Sequence, residues 1–235
     1  PTHFTFNLKA FRLFTGHYAD PNVLPKDVQQ ALGPVGKPHL YARDVPGEIL
    51  DELWRRFHEA LKPLQAAGKL GLVHFQFAPW VVNDARGRAV VADAVQRMAP
   101  HTVSVEFRHR SWFAEGREEP TLAMLRELQA VHTIVDEPQG FANSIPAVWE
   151  VTHPRYALVR LHGRNAASWN TKGPAASSRF NYDYPDAELE DLAQRIHRLE
   201  RQGQLTQVIL NNCFEDQSVR NGRTLMRMLG PTGSR

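Results

Sequence analysis

The feature that most limits how this chain can fold is its alternation of short apolar runs with longer amphipathic segments. The first long segment, roughly 46–66, repeats Leu50, Leu53, Trp54, Phe57 and Leu61 at three- and four-residue spacing, which is typical of one buried helix face. Runs such as GLVHFQF and YALVRL are short and apolar, as buried strands are. Strands that alternate with helices of this length favour βαβ units and a parallel sheet.

The same patterns give the expected order of elements. Strands are predicted at 4–9, 71–77, 102–107, 131–135, 156–161 and 207–210, and helices at 46–66, 87–98, 121–130, 186–202 and 217–229. Glycines and prolines punctuate the segment between the first strand and the first helix, which is therefore predicted to be a long loop. With no linker or low-complexity tract, 1–235 is predicted to be a single domain. Six strands are fewer than the eight of a closed barrel, so either the sheet is open or two units are missing upstream.

Charge and composition narrow the classes of function only a little. Lys and Arg total 28 and Asp and Glu total 25, a net charge of +3, which permits an anionic ligand without requiring a nucleic-acid partner. A lone cysteine, Cys213, excludes an internal disulfide and predicts a reducing, cytoplasmic setting, with a buried and inert thiol. No apolar run approaches the roughly 20 residues that span a bilayer, so no membrane association is expected. The sequence gives no signal for an oligomeric state.

The first strand begins almost at once after Pro1, and no signal peptide precedes it. A natural N-terminus usually has some slack before its first buried element. We therefore expect that residues upstream of Pro1 have been removed or were never part of this chain.

Polar or ionisable side chains follow every predicted strand. In chain order they are Lys9, Gln76, Glu106 with Arg108 and His109, Asp136, Arg160 with His162 and Arg164, and Asn211 with Asn212. Because the carboxyl ends of parallel strands point to the same face, these side chains are predicted to converge on one pocket. Gly163 lets the backbone turn sharply after His162, which favours a place for His162 over that pocket.

We interpret these side chains as a site for an anionic or polyol ligand. Glu106, Asp136 and His162 are the candidates for acid–base catalysis, which requires that their environments separate their pKa values. The candidates for binding the ligand are Lys9, Gln76, Arg108, His109, Arg160, Arg164, Asn211 and Asn212. Arginine suits bidentate recognition of carboxylate or phosphate. A phosphoester or glycosyl hydrolase fits this set, although the sequence does not identify the reaction.

Structural interpretations stand beside these functional ones. Glu106 is equally well a counter-ion of Arg108 or Arg160, because buried charges survive only when paired. His109 is a candidate cap of its strand end, and the two asparagines could satisfy loop backbone groups. His74, inside a strand, is expected to be packed rather than reactive.

No cofactor is identified. A divalent metal is the weaker variant of the enzyme hypothesis, with Glu106, His109, Asp136 and His162 as its candidate ligands. Against it, the chain has no HxH or HExxH spacing, and the neighbouring arginines would repel a cation. Non-catalytic binding of nucleic acid or of an acidic partner is the alternative function, and a purely structural ion-pair network is the third.

Several of these segments carry a resemblance to a known family. FNLKAF, HFQFAP, VEFRHRSWF, VDEP, YALVRLHGRN, the pair Tyr182 and Tyr184, and ILNNC followed by Asn221 and Leu225 occur in this order over nearly the whole chain. In these segments the chain resembles the YecE-like family, which is known as a domain of unknown function. The resemblance implies a TIM-barrel-like fold and supplies no established reaction.

The resemblance also implies two strand–helix units before FNLKAF, the first with a Gly and a Trp and the second with a Glu and a Tyr. The chain would then correspond to the C-terminal three-quarters of the family domain. Two departures are milder: Ala78 stands where family members commonly have a proline, and the loop 164–180 is longer. The absent units leave barrel closure open, because an open sheet has exposed edges.

Overall fold

The chain alternates strands and helices along its whole length. A computed structural model describes residues 4–171, 176–202 and 204–230. The strands are β1 (Phe6–Lys9), β2 (Leu70–Gln76), β3 (Val103–Glu106), β4 (Val131–Asp136), β5 (Tyr156–Leu161) and β6 (Leu205–Leu210). The helices are α1 (Lys26–Leu32), α2 (Gly47–Ala66), α3 (Ala85–Arg97), α4 (Glu118–Glu127), α5 (Asp186–Arg201) and α6 (Gln217–Leu229).

All six predicted strands and all five predicted helices are present, with ends that differ by three residues or fewer. The predicted long loop was wrong in one respect, because it contains α1. This seven-residue helix begins after Pro25 and buries Val28 alone. The sequence did not predict this helix because its apolar face is short and the prolines and glycines on either side of it are typical of turns.

The chain divides into two compact units, Pro1–Arg108 and His109–Arg235. In the first unit β1, β2 and β3 pair in parallel, with Lys9 opposite His74 and Gln76 opposite Glu106. Phe75 stacks on Trp54 of α2, with ring centroids 6.1 Å apart. Since side chains alternate along a strand, His74 and Gln76 lie on the side of the sheet that faces away from the helices.

In the second unit β4, β5 and β6 also pair in parallel. Ile134, Val159 and Leu161 pack into a core whose helical part is Leu189, Leu192, Ala193, Ile196 and Leu199 of α5 and Leu225 of α6. The alternation therefore places Arg160 on the side of the sheet away from the helices. His162 follows β5 with the same parity.

The burial of two side chains tests smaller expectations. His74 is buried, as predicted for a packed strand residue. Cys213 is exposed, so the expectation of a buried thiol was wrong; it lies in the loop between β6 and α6, outside the core. None of the helices described here is both long enough and apolar enough to cross a membrane.

Candidate functional site

Each unit has a polar face, which we define as the side of its sheet opposite its helices. The first polar face contains Lys9, His74, Gln76, Ser104, Glu106 and Arg108, and the second contains Arg160, His162 and Asn211. Both faces take their polar groups mainly from the carboxyl ends of strands. The two faces are described separately below.

Glu106 lies at the centre of the first polar face and is completely buried. Its carboxylate lies 3.3 Å from Arg108 Nη1 and 3.4 Å from His74 Nε2. Nδ1 of His74 in turn lies 3.0 Å from Ser104 Oγ. These contacts agree with the structural interpretation of Glu106 as a counter-ion of Arg108, and they fix the carboxylate between two nitrogen groups.

Two further predicted residues and one unforeseen residue belong to this unit. Lys9 Nζ donates to Gln76 Oε1 at 3.1 Å. His17, in the turn after β1, was not among the predicted residues, and its Nδ1 lies 2.8 Å from Thr15 Oγ1. Burial, followed by the charges of Arg12, Lys9 and Arg108, lowers the pKa of His17 to about 4. It lies beyond the 3-10 turn Arg12–Thr15 that follows β1, so no pattern in the sequence indicated it.

Asp136 ends β4 but lies on the opposite side of its sheet from the second polar face. Its register partner is Leu161, whose side chain belongs to the core beneath the helices. Nε and Nη2 of Arg164 donate to its carboxylate at 3.0 and 2.8 Å, and the Tyr184 hydroxyl donates at 2.7 Å. Burial and then the charge of Asp136 raise the pKa of Tyr184, so its phenol stays protonated and donates.

This network fixes the backbone that carries His162. The N–H of His162 donates to the carbonyl of Asp136 at 2.8 Å, and the N–H of Gly163 donates to the Tyr184 hydroxyl at 2.8 Å. Gly163 has φ +85°, and a Cβ atom added there would lie 2.5 Å from Cβ of Tyr182. Only glycine allows the tight turn that follows His162.

The ring of His162 is fixed by its own contacts. The amide Nδ2 of Asn211 donates to His162 Nδ1 at 3.0 Å. Because an amide nitrogen only donates, this orientation of the Asn211 amide makes Nδ1 the acceptor, and it selects the tautomer of a neutral imidazole that carries its proton on Nε2. The rings of Trp169 and Phe180 lie 6.3 and 5.9 Å from it, centroid to centroid. Arg160, two residues earlier on the same side, is 8% exposed.

The remaining predicted residues have contacts that serve the fold. Asn212 donates to the carbonyl of Tyr182 at 2.9 Å and to Asn221 Oδ1 at 2.7 Å, which fastens the β6–α6 loop. His109 accepts from the Ser111 N–H at 3.2 Å and caps the short 3-10 turn after it. Burial lowers the pKa of His109. Arg164 donates its hydrogen bonds to the carboxylate of Asp136.

The structure thus brings Lys9, Gln76, Glu106 and Arg108 together in the first unit. In the second unit Arg160, His162 and Asn211 share one face, whereas Asp136 and Arg164 lie on the helix side. In the part of the chain that the structure describes, no three His, Cys, Asp or Glu side chains are grouped so that they could hold a metal ion. Nothing in this geometry therefore supports the metal variant of the site.

Comparison with known families gives one match over the full length. The model of the family described as "Protein of unknown function DUF72" matches residues 1–235. Among curated proteins the chain is similar to the UPF0759 protein YunF of Bacillus subtilis strain 168, with 28% identity over 232 residues. That match covers 97% of this chain and 74% of the relative.

Solved structures of the same family share the fold. A DUF72 family protein of Enterococcus faecalis V583 superposes with a TM-score of 0.78 at 24% identity, covering 100% of this chain and 77% of that one. A DUF72 family protein of Thermotoga maritima MSB8 gives a TM-score of 0.68 at 29% identity, covering 76% of this chain and 65% of that one. The prediction of an α/β, TIM-barrel-like fold is confirmed. The two absent N-terminal units remain a prediction.

Proposed function

The chain belongs to the DUF72 family of proteins of unknown function, and from that premise we propose that it is a hydrolase of a small anionic substrate, a phosphoester or an anionic glycoside. We place its active site on the second polar face, with Arg160 as the residue that binds the anionic group and His162 as the catalytic residue. The observation that carries this proposal is the hydrogen bond from Asn211 to Nδ1 of His162.

That hydrogen bond determines what His162 can do. A neutral imidazole whose Nδ1 accepts presents Nε2–H as a donor. Such a donor stabilises negative charge that develops on an oxygen in the transition state, as fixed donors do in oxyanion holes. When water attacks the phosphorus or anomeric carbon and the bond to the leaving oxygen breaks, Nε2–H would donate a hydrogen bond to that oxygen and keep its proton, and the leaving oxygen takes up the proton that the attacking water loses. Asn211 is then a positioning residue, because it selects the tautomer.

Arg160 supplies the second requirement, an anchor for the substrate. It precedes His162 by two residues, so both side chains leave the backbone on the same side. A guanidinium binds a phosphate or carboxylate through two parallel hydrogen bonds, which fixes the orientation of the ligand as well as its position. Asp136, on the other side of the sheet, acts here as a positioning residue that fixes the backbone of His162.

The test is a turnover assay with p-nitrophenyl phosphate, bis-p-nitrophenyl phosphate and p-nitrophenyl glucuronide. We expect one of them to be hydrolysed by the parent protein, and His162→Ala to lower kcat by roughly 10²–10³-fold, as loss of an oxyanion donor does. Arg160→Gln should mainly raise KM. His197→Ala, a change on the exposed face of α5, is the matched control and should leave both parameters unchanged.

Two outcomes would contradict the proposal. The first is a His162→Ala protein that turns over as fast as the parent. The second is a parent protein with no turnover whose melting temperature rises with anions and falls back in Arg160→Gln. That result would favour non-catalytic binding, and a steep salt dependence would then point to nucleic acid.

A further inference from the structure

The first unit contains a cavity of about 450 Å³ between α2, α3 and the turn that follows β1. We call it the ring pocket, because four of its lining residues are the aromatic side chains Phe14, Tyr41, Trp54 and Trp80. Its size falls in the range of roughly 300–1,000 Å³ that is usual for small-molecule sites, which are mostly apolar with a few polar groups. None of its lining residues belongs to either polar face.

The walls of the ring pocket are fixed before any ligand arrives. Phe14 stacks on Trp54 with centroids 3.7 Å apart and planes 12° apart. The indole N–H of Trp80 donates to the carbonyl of Gly16 at 2.8 Å, although the side chain is 50% exposed. An exposed indole that is fixed in this way presents apolar area at a smaller entropy cost on binding. The edge-to-face pair of Tyr41 and Trp80, 6.3 Å apart, forms a corner.

The rim of the ring pocket favours an anion. Arg43 lies over the Tyr41 ring at 4.4 Å, and Arg86 is exposed in the first turn of α3. Within the described residues Arg86 forms no ion pair. Of the two acidic residues of the lining, Asp93 pairs with Arg97 at 3.0 Å, which offsets its charge. Asp84 accepts from the N–H of Gly87 at 2.7 Å and keeps its charge, so Arg43 and Arg86 still exceed it by one positive charge.

We propose that the ring pocket binds a small planar aromatic carboxylate, with the ring against Trp80 and Tyr41 and the carboxylate at Arg43 and Arg86. Aromatic rings prefer edge-to-face and offset contacts of the kind that the corner offers. A guanidinium matches a carboxylate through two parallel hydrogen bonds. The site is separate from His162, so the proposal does not depend on the hydrolase function.

Calorimetric titration of the whole protein with 2-naphthoate tests the charge requirement. We expect 2-naphthoate to bind at least about tenfold more tightly than the neutral 2-naphthamide, and Arg86→Gln to remove most of that difference. Arg88→Gln is the matched control, because Arg88 lies two residues further along α3, bonds to Asn83 and does not line the pocket. Equal binding of the two probes, or an equal loss in both variants, would overturn the proposal.

A second pair of variants tests the location. Val90 lines the pocket, whereas its neighbour Ala89 is exposed outside it. Val90→Trp should fill the cavity and abolish binding of 2-naphthoate, while Ala89→Trp should bind like the parent. The melting temperatures of both variants show that each is folded. Unchanged binding in a folded Val90→Trp protein would show that the ligand lies elsewhere. A parent protein that binds no 2-naphthoate would overturn the proposal outright.

Discussion

Each of the two units has an acidic residue at the end of a strand, but the two carboxylates lie on opposite sides of their sheets. Glu106 is the last residue of β3 in the first unit, and Asp136 is the last residue of β4 in the second. Glu106 lies on the face away from the helices, whereas Asp136 lies on the helix side, among Arg164 and Tyr184. The comparison teaches that a carboxylate at a strand end belongs to a polar face only if its parity along the strand places it there.

The largest expected effect comes from removing the charge of Asp136, and the same change at Glu106 is its comparison. Asp136→Asn places an N–H group against the donors of Arg164 and Tyr184. We expect it to lower the free energy of unfolding by about 2–4 kcal/mol, below the upper range for buried pairs because Arg164 is partly exposed. Glu106→Gln should cost about 1–2 kcal/mol, since its ion-pair contacts at 3.3 and 3.4 Å are longer. Urea denaturation measures both.

Asp191→Asn is the control for these two variants. Its carboxylate pairs with Arg195 one turn along the exposed side of α5, so we expect a change within about 0.5 kcal/mol. A larger cost for Glu106→Gln than for Asp136→Asn would reverse the comparison and make the first polar face the more tightly constrained one.

A smaller effect is expected at the turn after His162. Gly163→Ala would add a Cβ atom 2.5 Å from Cβ of Tyr182 at a positive φ, so both the clash and the backbone strain oppose it. We expect a loss of about 2–3 kcal/mol in unfolding free energy. Gly116→Ala is matched, because Gly116 has φ +70° with nothing within 4 Å of a Cβ, and it should cost only about 1 kcal/mol. Equal losses would mean that Tyr182 moves aside freely.

These differences show which features of the structure the sequence could predict. The order of strands and helices followed from periodicity, because each element buries a continuous apolar face that the residues themselves display. Helix α1 was not predicted, because its one buried residue, Val28, makes no periodic pattern. Likewise, the sequence predicted that Asp136 and His162 follow neighbouring strands. The side of the sheet on which each side chain lies depends on strand register, which is set by pairing between distant segments.

The roles of individual polar residues were also beyond the sequence. Nothing in the run ILNNC distinguishes Asn211, which bonds to His162, from Asn212, which fastens a loop. Parity separates them, since neighbours in an extended chain point to opposite sides. His17 lies in a turn whose closeness to Lys9 and Arg108 arises only when β1, β2 and β3 pair.

The smallest expected effect distinguishes burial from neighbouring cations as the cause of a lowered histidine pKa. His17 in the first unit and His132 in the second both have pKa values lowered to about 4, chiefly by burial. Only His17 also faces cations, namely Arg12, Lys9 and Arg108, whereas the lowering at His132 comes from burial alone. Because both folded pKa values lie below the ordinary 6.5, both rings disfavour folding as the pH falls from 6.5 towards 4.

Salt distinguishes the two rings. Raising the ionic strength from about 0.05 to 0.5 M shortens the screening length to a few ångströms, so the charges of Lys9 and Arg12 should act less on His17. NMR titration of the imidazole signals should then show the pKa of His17 rising by a few tenths of a unit while that of His132 stays fixed. Lys9→Gln should produce a similar rise at low salt. If both rings shift together, or neither shifts, the cations of the first unit do not reach His17, and burial alone explains its neutral state.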